Sequence, residues 1–201
     1  MILGRPLPRS FSARPSTVVA PDLLGRVLVR ELDDGTLLAA RLVEVEAYQE
    51  RDPASHSFRG STPRNAVMFG EPGHLYVYFT YGMHFCCNVV TGRDGEGSAV
   101  LLRAAEPLLG LSVMADRRGV DGPRLLCSGP ARLAQAFGID RSDDGADLVR
   151  GPALSLRSGE PVPAEAVARS TRVGVSVGVE RRWRFFVRDS PFVSRGRPAT
   201  G

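Results

Sequence analysis

The sequence predicts an α+β fold: a single domain built on a mostly antiparallel β-sheet. Three observations carry this. Segments rich in Val, Leu, Tyr and Phe recur through the first half and near the end, separated by short turns bearing Gly or Asp-Gly. Two helical segments, one over about Leu108–Arg118 and one from Gly129-Pro130 that stops at Gly138, interrupt them in the middle. No linker or shift in composition divides the 201 residues, a length that suits one compact domain.

Taken in order, Pro6, Pro8 and Pro15 mark an irregular basic start. A short helix is expected next, with Pro21 in its first turn and Gly25 as its stop. Arg26–Glu31 and Thr36–Tyr48 then form a hairpin around a two-residue Asp34-Gly35 turn. Residues 49–73, with three Pro and three further Gly after Gln49 and Glu50, read as a long loop, and such loops are usually functional. Strands are predicted over Leu75–Phe79, His84–Val90 and Ser98–Ala105, with turns at Gly82 and Arg93–Gly97. Helices follow over Leu108–Arg118 and from Gly129-Pro130 to Gly138. Asp140–Pro163 reads as surface loop, and Thr171–Val179 and Trp183–Arg188 as the last strands.

Composition excludes several function classes. No run of roughly 18 apolar residues exists, so a membrane-spanning helix is not expected. The first 21 residues lack the continuous apolar stretch of a secretory signal. Cys86, Cys87 and Cys127 have no CxxC spacing, which disfavours a disulfide framework and a zinc ribbon and suits a reducing compartment. All 26 basic residues are Arg, so no lysine can form a Schiff base or complete a lysine-dependent phosphate loop. The net charge of +4 is uneven: residues 1–21 carry +3, residues 181–201 carry +5, and the stretch between them sums to −4. Basic ends on a weakly acidic body suit a polyanion, although solvated tails would look the same.

Strand alternation sorts the candidate chemistry. Val43, Val45 and Ala47 fall on one face of their strand and read as core; Glu44, Glu46 and Tyr48 fall on the other. That second face is either a solvated sheet surface or a carboxylate set beside an aromatic ring. Tyr76, Tyr78 and Tyr81 cluster near Gly82. Tyr76 reads as core packing, whereas a tyrosine at a Gly-containing tip is placed to stack on bases or wedge between them. His56, His74 and His84 lack close metal-ligand spacing, and no nucleophile elbow is present.

An ordered series of short motifs runs through the chain. Leu24-Gly25-Arg26-Val27-Leu28-Val29, Val45-Glu46-Ala47-Tyr48, Ala54-Ser55-His56-Ser57 and Thr62-Pro63-Arg64-Asn65 come first. Leu75-Tyr76-Val77-Tyr78, Tyr81-Gly82-Met83, Phe85-Cys86-Cys87-Asn88 and Leu101-Leu102-Arg103-Ala104 follow, then Arg172-Val173-Gly174-Val175 and Ser190-Pro191-Phe192-Val193. This series resembles the alkyladenine (3-methyladenine) DNA glycosylase family from about Asp22 to Ser194. Three departures stand out. The Glu46-to-His56 segment is one residue shorter than the family pattern, Arg132 replaces a lysine in Gly129-Pro130-Ala131-Arg132-Leu133, and no motif anchors Asp140–Pro163.

The resemblance implies a curved antiparallel sheet with a protruding hairpin and peripheral helices. Residues 1–14 would be a basic arm that need not be ordered, and 15–201 the glycosylase domain. It implies a monofunctional enzyme that flips damaged purines (3-methyladenine, 7-methylguanine, hypoxanthine, ethenoadenine) from duplex DNA and hydrolyses the N-glycosidic bond. Glu46 matches the general base, with Arg103 and the Val173 carbonyl holding the water. Tyr48, His56 and Tyr78 match the base sandwich, Asn88 the guard against the guanine 2-amino group, and Tyr81 the intercalating wedge. Arg64, Met83 and Arg132 match DNA-contacting positions. No cofactor, metal or membrane is implied, and a monomer in the cytoplasm, associated with the nucleoid, is expected. The alternative reading is a non-catalytic nucleic-acid-binding module, which would use the basic ends and tyrosines without Glu46. A metal-dependent nuclease would need a ligand cluster that the sequence does not offer.

Overall fold

In the computed structural model, residues 3–80 and 82–196 are described. The strands are β1 (Val27–Glu31), β2 (Leu37–Tyr48), β3 (Leu75–Thr80), β4 (His84–Val90), β5 (Ala99–Leu109), β6 (Leu154–Arg157), β7 (Val167–Ser170) and β8 (Arg184–Val187). The helices are α1 (Arg9–Ser12), α2 (Ser16–Leu23), α3 (Leu111–Arg118), α4 (Pro123–Leu126) and α5 (Pro130–Phe137). The strands run in the order β3-β4-β5-β2-β1-β6, with β8 joining β2 and β7 joining β8, and every pairing is antiparallel. The α+β class read from the sequence is the class observed.

The twelve residues of β2 organise the molecule. Along one edge, Leu37–Arg41 pair with β1 and Glu44–Glu46 with β8, while β5 runs along the other. A register shift between Leu42 and Glu44 interrupts the alternation. Leu42, Val45 and Ala47 therefore join the main core, and Val43, expected there, is buried outside that cluster. The core lies between the sheet and the helices: Val19, Ala20 and Leu23 of α2 and Leu133, Ala134, Ala136 and Phe137 of α5 face it. Those spacings repeat at helical periodicity, and each large apolar side chain so buried contributes about 1.5–3 kcal/mol.

Several local expectations need correction. α2 begins at Ser16, and Pro21 lies in its last turn, where the missing N–H costs a single helical bond. Gly25 does end this region: with φ +82°, it donates its N–H to Leu42 O at 2.9 Å, and a Cβ there would stand 2.0 Å from Glu160 O. The first hairpin turn has three residues, not two, because Leu32 N–H closes onto Thr36 O at 2.9 Å, leaving Gly35 in the left-handed region. β5 runs to Leu109, past the Ala105 end predicted; Pro107 is tolerated because this stretch has left β4 and pairs with β2 alone. α3 consequently starts at Leu111, after Gly110.

Asp140–Pro163 is not merely surface loop. It supplies β6 on the outer edge of β1, and Leu148, Leu154 and Leu156 are core residues. Thr171–Val179 is not a strand: Gly174 and Gly178 have φ of +74° and +60°, and the strand lies earlier, in β7. At the start of the chain, Leu7 is buried and bonded to Leu156 O, Pro6 bridges Arg157, and Arg9 pairs with Asp147 at 2.8 Å. Among the described residues, no helix is long and apolar enough to cross a membrane.

Candidate active site

The second face of β2 is not a solvated surface. Glu44 and Glu46 are both 0% exposed, covered by Arg103 from β5, Arg184 from β8, and the segments that carry Val173 and Ser194. A buried carboxylate must have partners, and the two glutamates have different ones. Glu44 accepts from Arg103 Nε at 2.9 Å, Arg184 Nε at 2.7 Å, Ser194 N at 2.7 Å and Ser194 Oγ at 2.9 Å. Glu46 accepts from Val173 N at 2.7 Å on Oε1, and from the Tyr48 hydroxyl at 2.9 Å and an Arg103 terminal nitrogen at 3.2 Å on Oε2.

These surroundings push the two carboxyls apart. Burial raises the proton affinity of both. At Glu44 the charges of Arg103 and Arg184 and the Ser194 N–H outweigh it and hold the carboxyl below its ordinary range. At Glu46 burial wins over Arg103, Val173 and Tyr48, so the carboxyl sits above that range. Two acids held in opposite directions by their environments is the pattern from which acid–base roles are assigned.

The three residues bonded to Glu46, namely Tyr48, Arg103 and Val173, also line a cavity of about 360 Å³, together with His56, Tyr78 and Asn88. Every residue expected to hold base or water thus converges on one space, and Glu46, itself outside the lining, is joined to it through Tyr48, Arg103 and Val173. His56 meets the Tyr78 ring edge-on at 4.5 Å, and its Nδ1 shares a hydrogen bond with the Tyr76 hydroxyl at 3.0 Å. Tyr76 stacks on Tyr78 at 5.8 Å. Burial lowers the His56 pKa, with Arg64 adding to it, and burial raises the Tyr76 phenol to about 12. Burial also pushes the Tyr48 and Tyr78 phenols up, so both keep their protons and Tyr48 can donate to Glu46. Asn88 stands opposite Tyr76 in the β3–β4 register, and its Nδ2 donates to Tyr76 O at 3.2 Å.

The cavity wall from the 49–73 loop is tied down by side chains. Asn65 donates Nδ2 to His56 O at 2.8 Å and Gly60 O at 3.1 Å, while its Oδ1 accepts from Thr62. Ser57 Oγ donates to Gly97 O at 2.6 Å. At the start of this loop, Asp52 forms a fully buried ion pair with Arg172. The Arg172 guanidinium also lies 4.5 Å over the Tyr48 ring and donates to Ala47 O at 3.1 Å. One side chain thus joins the His56 loop, the Tyr48 ring and the Val173 segment.

Arg64, Met83 and Arg132, the other expected residues that are described, are not in the cavity lining. Arg64 is exposed, with Nη2 3.4 Å from Phe79 O. Met83 is 66% exposed in the β3–β4 connection. Arg132 is exposed at the start of α5, donates to Ser128 Oγ at 3.0 Å, and shares a separate groove with Arg195 and Arg103. Tyr81 lies outside the described residues. Val173 reaches Glu46 through its N–H, an interaction the sequence did not suggest. Glu44, Asp52, Arg172, Arg184 and Ser194 were also missed as site residues, although Glu44 shares the alternation that marked Glu46. Among the described residues, no three His, Cys, Asp or Glu come together as a metal cluster.

The methylpurine-DNA glycosylase family model matches residues 10–191 of this chain. A relative from Carboxydothermus hydrogenoformans is 49% identical over 94% of this chain and 98% of its own length. One from Streptomyces avermitilis is 51% identical over 97% and 93%, and one from Methanoculleus marisnigri 49% over 94% and 98%. All three carry the provisional name 3-methyladenine DNA glycosylase. With the match spanning strands, cavity and buried carboxylates alike, the chain belongs to the methylpurine-DNA glycosylase family.

Proposed function

We propose that this protein is a DNA glycosylase that removes damaged purines from duplex DNA by base-activated hydrolysis, the entry step of excision repair. The carrying observation is Glu46: a buried carboxylate of raised proton affinity, fixed by Val173 N–H, Tyr48 and Arg103, three residues that line an aromatic-walled cavity. A purine in a duplex is out of reach of such a cavity, so the nucleotide must be flipped in. Tyr48, Tyr78 and His56 offer ring faces and edges to the flipped base. A cationic alkylated base gains about 0.5–2 kcal/mol from an electron-rich ring, which favours damaged over normal purines. Neutral His56 has Nε2 available to the base or sugar.

As the C1′–N bond breaks, its electron pair leaves with the base and the sugar becomes oxocarbenium-like. A water oxygen bonds to C1′ and its proton passes to Glu46, whose charge also stabilises the cationic sugar. Oε1 accepts one protein N–H against two donors on Oε2, so the open lone pair for that proton is on Oε1. Arg103 and the Val173 carbonyl would hold the water, Asn88 would crowd the 2-amino group of guanine, and Tyr81 would fill the vacated stack. Arg64, Met83 and Arg132, exposed around the cavity, would contact the duplex. The enzyme would act as a monomer. A hypoxanthine-containing duplex incubated with the protein in EDTA and then cleaved with alkali tests this. Strand cleavage at the lesion after alkali is expected; binding without base loss would leave a nucleic-acid-binding module instead.

A further inference from the structure

Glu44 is as deeply buried as Glu46 and has four donors against three on Glu46. The donors come from three separate elements: β5 (Arg103), β8 (Arg184) and the C-terminal segment (Ser194). The geometry of Arg103 gives this cluster a bearing on the chemistry. A guanidinium normally grips one carboxylate with two parallel bonds, and such a grip on Glu46 would hold it as an inert anion. Here the fork is split. Nε goes to Glu44 at 2.9 Å, and only one terminal nitrogen reaches Glu46, at 3.2 Å.

We propose that Glu44 is a positioning residue: it draws Arg103 off Glu46 and so leaves the Glu46 carboxylate basic enough to take a proton from water. The proposal rests on the function proposed for Glu46 above and deepens it by naming the group that tunes the base. Arg184 is the counterweight. It lies opposite Glu46 in the β2–β8 register but donates to Glu44 at 2.7 Å, compensating the second carboxylate without gripping the first. The other groups facing Glu46 are Tyr48 from β2, Tyr78 from β3, and Arg172 with the Val173 N–H from the covering segment. None of these carries a charge paired with both glutamates; among the described residues, Arg103 alone does.

The arrangement makes opposite predictions for two substitutions. Glu44→Gln removes a neighbouring negative charge and frees the whole Arg103 fork for Glu46, so Glu46 should titrate about one pH unit lower. Arg184→Gln leaves Glu44 under-compensated, holds Arg103 more firmly on it, and should move Glu46 upward. The titration can be read without activity, by carbon NMR of protein labelled at the glutamate carboxyl, with Glu46→Gln assigning the resonance. The acid limb of single-turnover release from a 7-methylguanine duplex, whose base is already cationic, should move with it. Should Glu44→Gln alone fail to fold, Glu44→Gln/Arg184→Gln removes one charge of each sign and should still lower the Glu46 midpoint. Midpoints that stay within about 0.3 unit of the parent, or move in the same direction in both single variants, would overturn the role of Glu44. Midpoints that move as expected while release does not follow would uphold that role and remove Glu46 from the reaction.

Discussion

Substituting Asp52 by Ala isolates the strongest physical constraint around the cavity. Asp52 and Arg172 are both fully buried, and Asp52 receives two guanidinium donors, one at 3.0 Å. Without the carboxylate, the Arg172 charge keeps the carbonyls of Ala47 and Gly178, the Tyr48 and Trp183 rings and the weaker pull of the Glu46 charge, and its Nε already has no partner. Removing one member of a buried pair costs about 3–5 kcal/mol because the other is left uncompensated. With a urea dependence of about 2 kcal/mol per molar, the midpoint should fall by about 1.5–2.5 M. The double substitution Asp52→Ala/Arg172→Met removes both charges and keeps apolar bulk beneath Tyr48, so at least half of the lost stability should return. Activity should not return with it, since the Tyr48 ring has lost its guanidinium and the Val173 segment its anchor. Urea unfolding followed by circular dichroism, with base release measured per folded molecule, reads both. An Asp52→Ala loss below about 1 kcal/mol, or a double variant less stable than the single, would refute the reasoning.

Other outcomes follow from the same geometry. Asn88→Ser should relax discrimination against guanine more than it slows hypoxanthine release, because the shorter side chain opens room near the purine 2-position; a folded variant that rejects guanine as strongly as the parent would remove Asn88 as the gatekeeper. Release from an already cationic base should fall on acidification at a pH above the ordinary carboxylate range, since Glu46 must be ionised to act and burial raises its pKa. Stability should respond in two senses: the Glu44 contribution is present above its unfolded pKa and lost as pH falls through its depressed folded value, whereas Glu46 favours the fold at low pH and withdraws that contribution as pH rises through its raised value. Borohydride should trap no covalent DNA adduct, because the chain has no lysine to capture the sugar aldehyde.

The strands of the site were legible because alternation and turn residues are local signals. β4 falls at its predicted limits, and Glu46 and Tyr48 share a face as expected. What covers that face was not legible. Ser194 lies 150 residues from Glu44 and Arg172 lies 120 from Asp52, so no local pattern joins them. Thr171–Val179 misled for a related reason. It alternates like a strand, yet its polar groups are spent on Glu46, Asp52 and Ala47, and two left-handed glycines bend it to reach them. β6 was hidden in a polar, Gly- and Pro-bearing stretch, where Leu154 and Leu156 gave too short an apolar pattern to outweigh the turn residues around them.

The central claim, that Glu46 activates the attacking water, is tested most directly by Glu46→Gln. The amide oxygen of Gln can still accept from Val173 N–H or Tyr48, and Arg103 keeps Glu44, so the fold and the cavity should survive. Flipping and stacking use other groups, so binding to a damaged duplex should stay within about tenfold of the parent while single-turnover base release is abolished. Near-parental release by a folded Glu46→Gln protein would contradict the account.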